Sequence, residues 1–100
     1  MQNKLETIEN AEQVLYKTYN RFPVVFDHGN GVHLYDSEGK EYLDFGAGIA
    51  VAGLGYNDPE YTQALTKQAG KLLHTSNLFY NQPAVDAGQK LLKAAEMEKV

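Results

Sequence analysis

The densest run of side chains able to donate, accept or orient is His74-Thr75-Ser76-Asn77-Leu78-Phe79-Tyr80-Asn81. Asn77 brings a donor and an acceptor, and Tyr80 a flat apolar face ending in a hydroxyl, so this loop can line a pocket and orient what enters it. The same residues suit a helix–helix connection whose aromatics cap a core, and the residues alone leave both readings open. His74 and Ser76 have no orienting acid nearby in sequence, so a nucleophile, base and acid are not assembled here.

The other reactive types support blander readings. His28 and His33 flank a turn signal at no helical ligand spacing, and no carboxylate pattern converges on them, which favours hairpin or surface histidines over metal ligands. Asp36, Glu38, Glu41 and Asp44 fall near turns and strand ends, where solvation or capping explains them and no catalytic role is required. The glycines form neither a GxGxxG turn entering a helix nor a GxxxxGK[ST] loop, so a phosphate cradle is not expected. With no cysteine, the chain has no disulfide, thiolate nucleophile or cysteine metal site.

These residues must be carried by regular elements. Over residues 6–20, Ile8, Ala11 and Leu15 recur with helical spacing, and the pattern predicts a short amphipathic helix with Thr7 as a possible cap. Pro23 opens an extended region in which Val24–Phe26 and Val32–Tyr35 flank His28-Gly29-Asn30-Gly31, which predicts a hairpin about an Asn-Gly turn. Asp36-Ser37-Glu38-Gly39 repeats the turn chemistry, and Glu41-Tyr42-Leu43-Asp44-Phe45 alternates as a third antiparallel strand. The run FGAGIAVAGLGY then reads as a buried, irregular glycine-rich crossing. Asp58-Pro59-Glu60 is a strong helix start, followed by one face of Tyr61, Ala64, Leu65, Gln68, Ala69 and Leu72. After Pro83, the spacing of Ala84, Ala87 and Leu91 predicts a last helix running toward Met97.

Composition bounds the rest. A chain of 100 residues holds one domain at most, and 43% hydrophobic with 22% charged residues is an ordinary globular balance. The net charge is −4 and the basic residues are scattered, which argues against nucleic acid or an anionic membrane as partner. MQNKLETIEN lacks the basic start and apolar run of a secretory signal, and the expected location is cytoplasmic. Lys99-Val100 reads as the first step of a further strand, and a meander with two helices makes a poor closed core, so the chain reads as the N-terminal part of a larger α/β protein.

Several stretches together resemble the class III pyridoxal-phosphate aminotransferases. They are Thr18-Tyr19-Asn20-Arg21-Phe22-Pro23-Val24, Gly29 to Asp36, Gly39 to Phe45, Gly48-Ile49-Ala50-Val51, Leu54-Gly55 and Ser76-Asn77-Leu78-Phe79-Tyr80. Tyr-Leu-Asp-Phe is common to the whole family, whereas Gly-Ile-Ala-Val with Ser-Asn-Leu-Phe-Tyr resembles the branch acting on N-acetylornithine. Tyr56 departs from the pattern, which usually has a histidine there.

The resemblance implies the N-terminal part of a fold-type I transferase, α/β in class, working as a homodimer with active sites at the dimer interface. Residues 1–57 would be the N-terminal helix, small-domain meander and glycine-rich crossing, and residues 58–100 the linking helix, the pocket loop and the start of the large cofactor-binding domain. The implied reaction moves the amino group of N-acetylornithine to 2-oxoglutarate in arginine biosynthesis, with pyridoxal 5′-phosphate bound by parts beyond residue 100. Ile49 would line the side-chain end of the substrate pocket, Asn77 and Tyr80 would shape it largely across the dimer interface, and Phe79 would pack behind them. No lysine here sits in the context of the family's Schiff-base lysine, so the resemblance assigns no catalytic, cofactor-binding or metal-binding residue and implies that the 100 residues alone are inactive. Succinylornithine, ornithine and 4-aminobutyrate aminotransferases are the alternatives within the family. Outside it, the residues also allow a free-standing dimerising module, with the crossing and the aromatic loop as its surface.

Overall fold

A computed structural model describes residues 3–100. In chain order the elements are α1 (Lys4–Val14), β1 (Phe26–Asn30), β2 (His33–Asp36), β3 (Glu41–Leu43), α2 (Ala47–Ala50), α3 (Pro59–Ala69) and α4 (Gln82–Ala95). The chain divides into two units, Met1–Gln63 and Ala64–Val100, so the boundary falls inside α3.

In the first unit the strands form an antiparallel meander in the order β1-β2-β3. Asn30 pairs with His33, so Gly31 and Val32 are the turn between β1 and β2, and β1 runs through His28, Gly29 and Asn30. The expected Asn-Gly centre is thus displaced by one residue. Gly31 takes a φ of 58°, and both its amide and its carbonyl bond to Tyr56 at 2.8 Å. A distant residue, rather than the local Asn-Gly preference, places the turn. The register of β1 shifts between Phe26 and His28, leaving Asp27 as a bulge.

Helix α1 starts earlier and stops sooner than its apolar spacing predicts. Asn3, not Thr7, is the cap, its side chain accepting the Leu5 amide at 3.1 Å. The backbone leaves helical geometry at Leu15, and Val14, Leu15 and Tyr16 remain exposed, so the rest of the stripe has no packing to hold it in a helix.

The glycine-rich crossing is irregular but not buried: Ile49 is 96% and Val51 87% exposed. At its centre, α2 is a left-handed turn, with positive φ at Ala47, Gly48, Ile49 and Ala50 in succession. The small residues there serve backbone geometry and not a packed crossing, which corrects the expectation of a buried segment.

Helix α3 begins where Asp58-Pro59-Glu60 predicts, with the Asp58 carboxylate accepting the Tyr61 amide at 2.7 Å. In the second unit, the Asn81 side chain accepts the Ala84 amide at 3.0 Å to start α4, with Pro83 in its first turn. Lys99-Val100 forms no strand; a strand needs a neighbouring ladder, and none reaches these residues among those described. No helix among the described residues is long and apolar enough to cross a membrane.

Candidate functional site

The loop that carries Asn77 and Tyr80 is built from its own polar groups. Ser76 accepts the Leu78 amide on its hydroxyl at 3.2 Å and the Phe79 amide on its carbonyl at 3.0 Å, folding a tight turn. Asn81 closes the loop: its amide nitrogen donates to Thr75 Oγ1 at 3.0 Å while its oxygen caps α4. With these bonds made inside the loop, Asn77 and the Tyr80 ring are left facing an open groove of about 420 Å³ between the loop, α4 and residues 98–100. Its apolar wall comes from Ala84, Val85 and Leu92, and Gln89 and Lys99 add polar ends. Tyr80 is 99% exposed, and Phe79, expected behind it, is itself exposed on the same groove.

Ile49 belongs to the first unit, at the crest of α2. The residue that fixes this turn is Asp44. Its Oδ1 accepts the amides of Gly46 at 2.8 Å and Ala47 at 3.0 Å, and its Oδ2 accepts the Tyr56 hydroxyl at 2.6 Å. The Tyr56 phenol and the two amides hold the Asp44 carboxyl below its ordinary value, and the same bond to Asp44 raises the phenol. The position of Asp44 near a strand end predicts solvation or capping, and it caps the turn; for Tyr56 the sequence shows only a departure from a family pattern. Its role comes from a contact across twelve residues that no local spacing announces.

A second carboxylate is used in the same manner. Asp36, 3% exposed, accepts the Glu38 amide at 3.0 Å and the Lys40 amide at 2.9 Å on one oxygen and the Tyr42 hydroxyl at 2.9 Å on the other. The Lys40 amide leads the causes that lower its pKa, against the opposing cost of desolvation. Glu38 pairs with Lys4 at 3.0 Å and Glu41 accepts the Tyr35 hydroxyl at 2.8 Å, so these acids are structural partners. His28 stacks on Tyr35 at 4.7 Å between centroids and lies 2.8 Å from Asp27. Among the described residues, no group of three or more histidines and acids is placed to hold a metal ion.

The starts of α3 and α4 are already capped by side chains of this chain. Free amides at a helix start are one way to hold a phosphate group. Here Asp58 occupies the start of α3 and Asn81 the start of α4, while Lys4 is engaged with Glu38. What these residues can do is shape and orient: an apolar side chain on a strained turn in one unit, an amide and a phenol on a groove in the other.

The family model of class-III aminotransferases matches residues 14–100. Mitochondrial acetylornithine aminotransferase of Alnus glutinosa is 46% identical over 95 residues, 95% of this chain and 21% of the relative. The crystal structure of acetylornithine aminotransferase from Elizabethkingia anophelis superposes with a TM-score of 0.93 at 35% identity, over 99% of this chain and 26% of that one. Ornithine δ-aminotransferase of Plasmodium falciparum gives a TM-score of 0.92 at 26% identity, over 98% of this chain and 25% of that one. The chain therefore spans about a fifth to a quarter of the length of these relatives. Over that length it has their fold, and it belongs to the class-III aminotransferase family.

Proposed function

We propose that the chain is the N-terminal part of a pyridoxal-phosphate-dependent aminotransferase that transfers the amino group of N-acetylornithine to 2-oxoglutarate, leaving the acetylated semialdehyde and glutamate. The observation that carries this reading is a contrast within one fold. The superpositions on the acetylornithine and ornithine enzymes are nearly equal, at TM-scores of 0.93 and 0.92, whereas identity is 35% with the first and 26% with the second. Backbone shape does not separate the two donors, and the higher identity supports the acetylated one.

The roles proposed for this chain's residues are those of a pocket wall. Ile49 presents an aliphatic surface that suits the uncharged acetyl amide on the donor's α-nitrogen better than the free α-ammonium group of ornithine, while the side-chain amine is the group transferred. Asn77 supplies hydrogen bonds and Tyr80 a flat face and a hydroxyl. The cofactor supplies the electron sink when bound, and the rest of the full-length protein supplies the groups that hold it. Residues 1–57 would open the small domain and 58–100 lead into the large one, with the active enzyme a cytoplasmic homodimer.

The test is the ratio of kcat/KM values for the full-length enzyme with N-acetylornithine, N-succinylornithine, ornithine and 4-aminobutyrate as donors to 2-oxoglutarate. The reading requires N-acetylornithine to lead; preference for unacylated ornithine would assign the chain to the other branch.

A further inference from the structure

Four residues in succession with positive φ are costly for L-amino acids, because each Cβ crowds the following carbonyl, and a β-branched residue suffers most. Ala47, Gly48, Ile49 and Ala50 form such a run, with Ile49 at φ 59° and ψ 55°. A run of this kind persists only where its surroundings impose it. Ile49 is 96% exposed, so its own side chain contributes little to the restraint. Besides backbone bonds within the turn, such as the Ile49 amide to the Gly46 carbonyl at 2.9 Å, one carboxylate restrains it from outside: Asp44 receives the Gly46 and Ala47 amides on Oδ1 and the Tyr56 hydroxyl on Oδ2.

Tyr56 is itself anchored. Its amide and carbonyl bridge to Gly31, and its ring lies so close to Gly29 that a Cβ there would come within 2.5 Å of Cγ. Behind it, Gly55 at φ 79° leaves room only for hydrogen, since a Cβ would meet the Gly31 carbonyl oxygen at 2.7 Å. The β1–β2 turn, Tyr56, Asp44 and the left-handed turn thus form one continuous mechanical path.

We propose that Asp44 and Tyr56 are specificity-positioning residues, which lock the left-handed turn α2 and thereby fix where Ile49 stands against the acylated end of the amino donor. This rests on the functional reading above and adds to it a pair of residues acting through Ile49 without touching substrate. Tyr56→Phe in the full-length holoenzyme keeps the ring on Gly29 and removes the hydroxyl. The KM for N-acetylornithine is expected to rise about tenfold, with kcat within about twofold and a smaller penalty for unacylated ornithine. The cofactor's visible absorbance stays unchanged. A second variant reaches the same turn without touching the latch: Gly48→Ala meets nothing closer than Val51 Cβ at 3.8 Å, so it acts through the positive φ alone. It is expected to shift donor preference in the same direction.

Adding Ala50→Asn, a residue that tolerates the left-handed region, to Tyr56→Phe restores the preference for the acylated donor. A role confined to stability would lower Tm without moving the choice among donors. If Tyr56→Phe does not fold, Asp44→Asn, which alters the same latch from its other partner, decides: a shifted preference supports the proposal and an unmoved one overturns it. An active parent whose two variants both keep the original donor preference overturns the proposal alone. A parent inactive on every donor sinks the functional reading and the proposal together.

Discussion

Asp36 is nearly sealed from solvent, and its partners are two backbone amides and a phenol. Bonds to the charged form lower its pKa beneath the ordinary 3.8, with the Lys40 amide first among the causes. A carboxyl whose folded pKa lies below its unfolded one stabilises the fold at pH above the unfolded value and loses that contribution as pH falls through the folded one. Asp44 follows the same sign, with Tyr56 as first cause. The expected result is that acid unfolding of the full-length protein has a component below about pH 4. Asp36→Asn lowers Tm at neutral pH and flattens that component; an unchanged acid limb would refute the assignment. At Tyr80 the expectation is kinetic: Tyr80→Phe raises the KM for the amino donor several-fold while cofactor absorbance stays intact, and loss of absorbance would contradict a purely orienting role. Residue types narrow Asp36 and Asp44 to solvation or capping, because both lie near turns or strand ends with glycine two or three residues on. The partnership of Asp44 with Tyr56 was illegible, since nothing in the types of two residues so far apart announces a contact.

Helix starts are the elements most readable from sequence, because a cap acts over three residues. Asp58-Pro59-Glu60 places α3 correctly, whereas the expectation of α4 after Pro83 falls just inside the helix, which starts at Gln82 with Asn81, assigned by spacing to the loop, as its cap. Asn81→Ala is expected to weaken the start of α4 by about 1 kcal/mol, read as lowered Tm and helicity, with Asn81→Ser recovering most of it. The end of α1 was not readable, since its apolar stripe runs past Val14 and only packing would decide where the helix stops. The left-handed turn α2 was still less so: alanine and isoleucine have no preference for positive φ, and distant hydrogen bonds impose it. The displaced β1–β2 turn has the same origin in Tyr56. Gly55→Ala, by pressing a methyl group on the Gly31 carbonyl, is expected to break that bridge and reduce soluble yield of the full-length protein, whereas Gly39→Ala, at positive φ but with open space around it, costs only backbone strain. Equal losses from the two substitutions would remove the bridge from the account.

Across the whole molecule, no hydrophobic side chain among the described residues is buried, and Phe22, Phe45, Tyr80 and Ile49 are almost fully exposed. The apolar faces of the helices were legible from spacing, but what covers them is not a property of these residues. Hydrophobic burial is the main term opposing chain entropy, so the 100 residues alone lack what a cooperative fold requires. The isolated chain is expected to bind a hydrophobic dye and to unfold without a sharp transition; a compact, cooperatively melting species would instead favour an independent module. The same exposure acts during synthesis. On a ribosome adding roughly 5–20 residues per second, a parent of its relatives' length leaves these residues outside the exit tunnel for tens of seconds before the segments that would cover them exist. During that interval the meander, with its carboxylate-tied turns, is the part able to form from its own contacts, while Phe22, Phe45 and Leu78 stay open to solvent.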